Sequence, residues 1–305
     1  MGLSQTLDWS GKARASRDAV AVRDQLAQLR GDKARARLLA DSLNALVAHA
    51  AAREQLAAAR EQEQQLRDLT DLIRRREQAG DVGQVDAQLA YLSLGQAQQA
   101  LADAESAATR AATTLRQQLA SQQPAVGLPP ADRWQAPSLT SEVVQRLPTS
   151  FDFQLAEQQL ALAERGVSVA EKQRNTDPTL GLRVGQEDGE NLWGVDFSLP
   201  LKFFNTGKPA YEAALADSEA RRALLEKTRN DIQARLDGAL IDYQQRRQRW
   251  ETWQQLTGDS LAHSDTLLKR VWEQGELTTQ NYLQALNQRL DTRLAGIALR
   301  LSLIH

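Results

Sequence analysis

Thr179-Leu180-Gly181-Leu182-Arg183-Val184-Gly185-Gln186 and Leu192-Trp193-Gly194-Val195-Asp196-Phe197-Ser198-Leu199-Pro200-Leu201 are the two runs that decide the fold. In the first, Leu180, Leu182 and Val184 alternate with Gly181, Arg183 and Gly185. In the second, Trp193, Val195, Phe197, Leu199 and Leu201 alternate with Gly194, Asp196, Ser198 and Pro200. A period of two puts one set of side chains on each face of a strand. The polar segment Glu187-Asp188-Gly189-Glu190-Asn191 turns the chain between them, so the pair predicts a β-hairpin. A lone hairpin is marginal in water and has to pair with further strands. A hairpin of this kind ordinarily packs on a soluble core, but no other stretch of the chain is suited to cover its apolar face. Apolar residues outward with small or polar residues inward is the pattern of a transmembrane β-barrel.

Outside this window the period changes to that of a helix. All eight prolines of the 305 residues lie between Pro124 and Pro209. Proline costs about 3 kcal/mol in a helix interior, so the two proline-free flanks, rich in Ala, Leu, Gln, Glu and Arg, predict very long helices. From Lys12 to Gln78 apolar residues recur at three- and four-residue steps, as in Leu26, Leu29, Leu66, Leu69 and Leu72, which makes a rod of roughly 100 Å. Gly80-Asp81-Val82-Gly83 breaks it, and a second Ala-rich helix follows to Gln123. Residues 124–148 hold five of the prolines and read as an irregular connection. A shorter helix begins after Pro148, with Thr149 or Ser150 as N-cap, and closes before Asp177-Pro178. Beyond Pro209 another long helix runs from Ala210 to Glu273, breaks at Gln274-Gly275-Glu276-Leu277, and is followed by a final helix from Thr278.

Composition excludes several classes of function. The absence of cysteine removes disulfides, thiolate metal sites and cysteine nucleophiles. A net charge of -2 offers no basic face for nucleic acid. No run approaches 18 apolar residues, so no helix is expected to span a bilayer. His49, His263 and His305 have no second ligand at helical spacing, and no metal site or cofactor is expected. Gly11-Lys12 and Gly207-Lys208 lack the upstream glycine of a phosphate loop, and no acid/base pair or nucleophile set stands out, so the chain does not read as an enzyme.

The architecture also occurs twice. Leu3-Ser4-Gln5-Thr6-Leu7, then Gly11-Lys12 and a long helix, resembles Phe197-Ser198-Leu199-Pro200-Leu201, then Gly207-Lys208 and a long helix. Glu77-Gln78-Ala79-Gly80-Asp81-Val82 likewise resembles Glu273-Gln274-Gly275-Glu276-Leu277, and the offsets agree at 194 to 196 residues. Leu3 to Trp9 is therefore predicted to be a strand, with Leu3, Leu7 and Trp9 on one face and Ser4, Thr6 and Asp8 on the other. The second copy has a partner strand before it and the first has none. The expectation is that the natural protein continues upstream with a signal sequence, the first helices and one more strand, or else that this is a truncated form unable to close a barrel.

At these residues, from Leu-Ser-Gln-Thr-Leu-Asp-Trp-Ser-Gly-Lys to Gly-Glu-Leu-Thr-Thr-Gln-Asn-Tyr-Leu-Gln-Ala-Leu, the chain resembles the TolC-like outer-membrane efflux proteins. The wording of the second tip and of the Asp-Trp-Ser-Gly-Lys junction is most similar to the heavy-metal (CzcC-like) branch. The resemblance implies a mainly α fold with a small β part. Very long helical hairpins would build an α-barrel tunnel, and strands would join a β-barrel shared by a homotrimer. The segments it implies are a barrel strand (1–10), a first long hairpin (11–123, tip near 80) and an equatorial linker (124–148). A short helix (149–177), a barrel hairpin (178–202) and a second long hairpin (203–305, tip near 275) complete it.

In function it implies an exit duct of a tripartite efflux system, conducting cargo, metal cations among it, without chemistry of its own. The implied partners are a periplasmic adaptor, an inner-membrane pump of the resistance-nodulation-division type and outer-membrane lipid, with the helices projecting into the periplasm. The adaptor would meet the tips at Arg74, Arg75, Arg76, Gly80, Asp81, Gly83, Arg270, Gly275, Glu276 and Thr278. The constriction positions of the family fall on Trp272, Leu277, Asn281 and Gln284, none of them charged, and Asp86 holds the place equivalent to Asn281 in the first copy. Leu3, Leu7, Trp9, Leu180, Leu182, Val184, Trp193, Val195, Phe197 and Leu199 would face lipid. The competing reading is a periplasmic coiled-coil adaptor or scaffold, although an adaptor carries one helical hairpin and this chain has two tip turns.

Overall fold

The computed structural model describes residues 2–119, 149–187, 190–200 and 206–303. The order of elements is β1 (Gly2–Thr6), α1 (Lys12–Ala79), α2 (Gln84–Leu119), α3 (Phe151–Arg174), β2 (Thr179–Glu187), β3 (Glu190–Ser198), α4 (Lys208–Glu273) and α5 (Thr279–Ser302). The fold is mainly α with one small sheet, as the two periodicities imply. The expected linker at 124–148 and the end of the second helix at 120–123 lie outside the described residues. Two compact units are present, residues 1–35 with 140–238 and residues 36–139 with 239–305. Both α1 and α4 contribute to each unit.

The first unit contains the sheet, in the order β1-β2-β3 and antiparallel throughout. Its register pairs Leu3 with Leu182 and Leu182 with Val195, Leu180 with Phe197, and Val184 with Trp193. Directly opposed residues share a face, so these side chains form one apolar surface. The other face carries Gly2, Arg183 and Gly194 on one rung, then Ser4, Gly181 and Asp196, then Thr6, Thr179 and Ser198.

Two strand ends differ from the sequence reading. β1 stops at Thr6 instead of Trp9, because Asp8 turns to the helix: its carboxylate accepts from Lys12 N (2.7 Å) and Ala13 N (2.9 Å), donors that α1 leaves unpaired. Leu7 N still reaches Pro178 O at 2.9 Å, and Trp9 N then donates back to Leu7 O at 2.8 Å, which takes Trp9 off the strand line. β3 stops at Ser198 instead of Leu201, since Pro200 has no N–H to give a ladder. Leu199 is therefore past the strand, and Leu201 lies outside the described residues.

The strand-to-helix junction is closed by Asp177, which is 8% exposed. It accepts from Ser10 N (3.0 Å) and pairs with Lys12 Nζ (2.7 Å). The Lys12 hydrogen bond and the Ser10 backbone N–H hold the Asp177 carboxyl below the usual range, at about 2, against the effect of burial. Ser150 is the N-cap of α3 as expected, but its side chain makes no cap bond. Asp152 in the first turn instead pairs with Lys33 of α1 and, at 4.0 Å, with Arg235 of α4. α4 begins at Lys208, two residues earlier than expected, with Pro209 in the first turn where a missing N–H costs nothing.

The second unit is a packed set of helix ends. Leu66, Leu69 and Ile73 of α1, Ala87, Ala90 and Ala97 of α2, Trp272 of α4, and Tyr282, Leu283 and Leu286 of α5 form one cluster. Further from the turns, α1 and α5 are joined by charge: Glu54 with Arg300, and Glu61 with Arg293 and Arg289. Burial pushes the Glu61 carboxyl up, but the Arg293 hydrogen bond and the charges of both arginines outweigh it, and the net direction is down. Trp250 and Trp253 stack with centroids 5.2 Å apart, and Trp253 lies over Gly296 of α5.

Candidate functional site

The two helix turns have the same backbone. At the end of α1, Gly80 N donates to Glu77 O (3.0 Å) and Asp81 N to Arg76 O (2.9 Å). At the end of α4, Gly275 N donates to Trp272 O (3.0 Å) and Glu276 N to Val271 O (3.1 Å). Each is a Schellman cap, which needs a left-handed residue, and Gly80 (φ 83°) and Gly275 (φ 77°) supply it. The next helices start by different means. Gly83 O accepts from Asp86 N and Ala87 N to open α2, whereas the Thr278 hydroxyl accepts from Asn281 N at 3.2 Å to open α5.

Of the residues assigned to partner contact, Arg74, Arg75, Gly80, Asp81, Gly83, Arg270, Gly275, Glu276 and Thr278 are exposed. Arg76 is different. Its guanidinium lies 5.2 Å from the centroid of the Trp272 ring, and Tyr282 stacks on that ring at 5.2 Å and 13°. Trp272 is 5% exposed in the tip core, and Leu277 packs against the same core. The reason is their place next to the Schellman turn, where apolar residues flanking the cap contact the helix. Asn281 and Gln284 are exposed, and Asp86 is half-buried.

The apolar sheet face is open to its surroundings. Leu3 is 80% exposed, Trp193 78%, Phe197 68% and Val195 66%, and Trp9 beyond the strand is 83% exposed. A monomeric soluble protein rarely leaves a contiguous apolar surface of this kind. Leu180, Leu182 and Val184 on that face are exposed as well, as is Leu7 just past β1. On the opposite face Arg183 and Asp196 form a bidentate pair, with Nη2 at 2.9 Å from both carboxylate oxygens and Nε at 3.2 Å from one.

Four features were missed in the sequence. The Arg183–Asp196 pair is brought together across the hairpin by the strand register, and the Lys12–Asp177 closure joins residues far apart in sequence where β1 leads into α1. The α1–α5 ladder did carry a signal, because Glu54 and Glu61 are spaced by seven, as are Arg293 and Arg300. The Gly296–Trp253 contact carried none beyond a glycine inside a helix. Among the described residues no helix is long and apolar enough to cross a membrane, which leaves a β-barrel untouched. Among the same residues no group of three or more His, Asp or Glu side chains is gathered for a metal ion.

Solved membrane-protein structures, outer-membrane channels among them, share this fold. A membrane protein from Pseudomonas aeruginosa superposes with a TM-score of 0.83 at 21% identity, over 99% of this chain and 73% of that one. The CmeC outer-membrane channel of Campylobacter jejuni gives 0.81 at 17%, over 99% and 67%. CusC, a protein that forms a transmembrane channel, gives 0.84 at 16%, over 99% and 75%. At these identities the likeness establishes the fold. In sequence, residues 1–121 match the family model described as outer membrane efflux protein. No curated protein matches the chain.

Proposed function

We propose that the protein is an outer-membrane exit duct of a tripartite efflux system, acting as a homotrimer that conducts cargo passively. The observation that carries this reading is the sheet, with an uncovered, mainly apolar face interrupted at Gln5 on one side, and glycine, hydroxyl and paired charge together with Leu192 on the other. Three such sheets closed into one barrel would place the apolar face against lipid and the polar face on water. The family match at residues 1–121 and the fold shared with outer-membrane channels support the same reading.

The helices then project into the periplasm, and the exposed tip residues, Arg74, Arg75, Asp81, Arg270 and Glu276 among them, meet a periplasmic adaptor. Asn281, Gln284 and Asp86 remain as polar candidates for the narrow end of the tunnel. The energy source is an inner-membrane pump, of the resistance-nodulation-division type by resemblance. Metal cations as cargo rest on the wording of the junction and second tip alone, and resistance to zinc, cobalt and cadmium salts in a strain lacking the gene tests that point. The duct itself is tested by isolating the natural full-length protein. Extraction from outer membranes as a detergent-dependent trimer that forms conductive pores is expected. A soluble monomer without detergent overturns the reading.

A further inference from the structure

We infer that the Arg183–Asp196 pair sets the electrostatic potential of the polar wall and holds it near neutral, so that cationic and anionic cargo pass alike. The inference rests on the duct reading and adds a residue pair that determines charge selectivity. Its basis is what surrounds the pair. The rung of Arg183 carries glycine on both sides, at Gly2 and Gly194, and the next rung carries Ser4 and Gly181 beside Asp196. Long side chains are therefore confined to this pair over two rungs, and both stand clear of their neighbours, with side chains 72% and 50% exposed.

The glycine at 181 is part of the device. A Cβ there would lie 3.3 Å from Asp196 Cβ and 3.6 Å from Ser4 Cβ, crowding the carboxylate that Arg183 grips with both nitrogens. Bidentate pairing orients the two charges as one compact dipole. In the register, Glu187 pairs with Glu190 two rungs beyond Arg183 and three beyond Asp196, about 14 and 20 Å along the strands, and this pairing is the same in every variant compared below. A cross-strand pair also steadies register, and that role alone predicts no effect of single charge removal on local potential.

The absence of cysteine makes a direct measurement possible. Ser4→Cys in the full-length trimer, in lipid vesicles, serves as reporter beside the pair. Its reaction rates with a cationic and an anionic methanethiosulfonate are compared at about 10 mM salt, where screening extends to about 30 Å. Adding Asp196→Asn leaves a lone guanidinium and should shift the rate ratio about fourfold toward the anionic reagent, for a unit charge some 8 Å away. Arg183→Gln should shift it as far the other way, and the double variant should restore the original ratio. A ratio unmoved by either single change in a normally assembled trimer overturns the inference and leaves the duct standing. Modification of Val195→Cys with Ser4→Cys protected would instead overturn the orientation of the sheet, and with it the duct reading.

Discussion

Gly296 sits inside α5 under the ring of Trp253, and its replacement by alanine gives the most discriminating test of the packing. A Cβ on residue 296 would stand 2.3 Å from Trp253 Cη2 and Cζ2 and 3.0 Å from Cε2. Carbon atoms rest at about 3.5 to 4.0 Å, so the indole has to withdraw by more than about 1 Å. It cannot do so freely, because its plane is stacked on Trp250 at an interplanar angle of 12°. Overpacking of this sort costs about 1 to 3 kcal/mol, and loss of the stack adds about 0.5 to 1.5. Alanine returns about 1 kcal/mol through helix propensity. The net expectation for Gly296→Ala is a loss of about 1 to 3 kcal/mol, seen as a lower midpoint in thermal melts followed by circular dichroism. Gly95→Ala in α2 is the internal comparison. A Cβ there meets nothing within 4 Å, so only the propensity term acts and the midpoint should rise. Trp253→Leu in the Gly296→Ala background should recover part of the loss, a non-additivity that marks direct contact. If Gly296→Ala melts at or above the parent, the contact is not formed as described.

Trp272→Ala removes the ring held between Tyr282 and Arg76 and should cost about 3 to 5 kcal/mol, read as faster amide exchange at the ends of α1 and α4 with the sheet unchanged. Gly80→Ala and Gly275→Ala force a left-handed residue with a side chain, and each should lose about 1 kcal/mol or more, measurable in the same melts. Asp177 is held at about 2, below its ordinary 3.8, so its closure of the junction is complete above the ordinary value and is lost as pH falls through about 2. Amide exchange at Ser10 should therefore accelerate on acidification through that window, and in Asp177→Asn the acceleration should already be present at neutral pH. Glu61 is shifted in the same direction, so Glu61→Gln should loosen α5 at neutral pH and have little effect once acid has protonated the parent.

The elements were legible because each is set by local chemistry. Proline-free alanine-rich tracts, glycines at left-handed turns and a period of two are decided within a few residues. The strand ends were less so, since the end of β1 depends on whether Asp8 continues the ladder or caps α1. Alternation through Trp9 gave no sign of that competition, and the two hydrogen bonds from Lys12 N and Ala13 N decide it. The tips were legible as turns from Gly80 and Gly275. The fate of Trp272 was not, because a large aromatic beside a turn serves a core or a passage equally well in sequence. Its neighbours, Tyr282 and Arg76, come from other helices and are not apparent from the local sequence.

The duplication explains the form of the tip core better than either copy alone. Gly11 and Gly207, and Gly80 and Gly275, are the four positive-φ glycines among the described residues, and they pair at offsets of 196 and 195. The backbone plan has thus been kept in both copies while the side chains have separated. At the offset of the tips, Ala87 corresponds to Tyr282 and Glu77 to Trp272. Ala87 and Ala90 are 0% exposed, as is Leu286, and Tyr282 is 6% exposed in the same cluster. At this pair of positions the first copy supplies the small residue and the second the large one, while Leu66, Leu69 and Ile73 bring large side chains of the first copy from α1. The asymmetry at 87 and 282 therefore matches the packing of the two tips into one cluster, a small residue of one copy lying in the same core as a large residue at the equivalent place in the other.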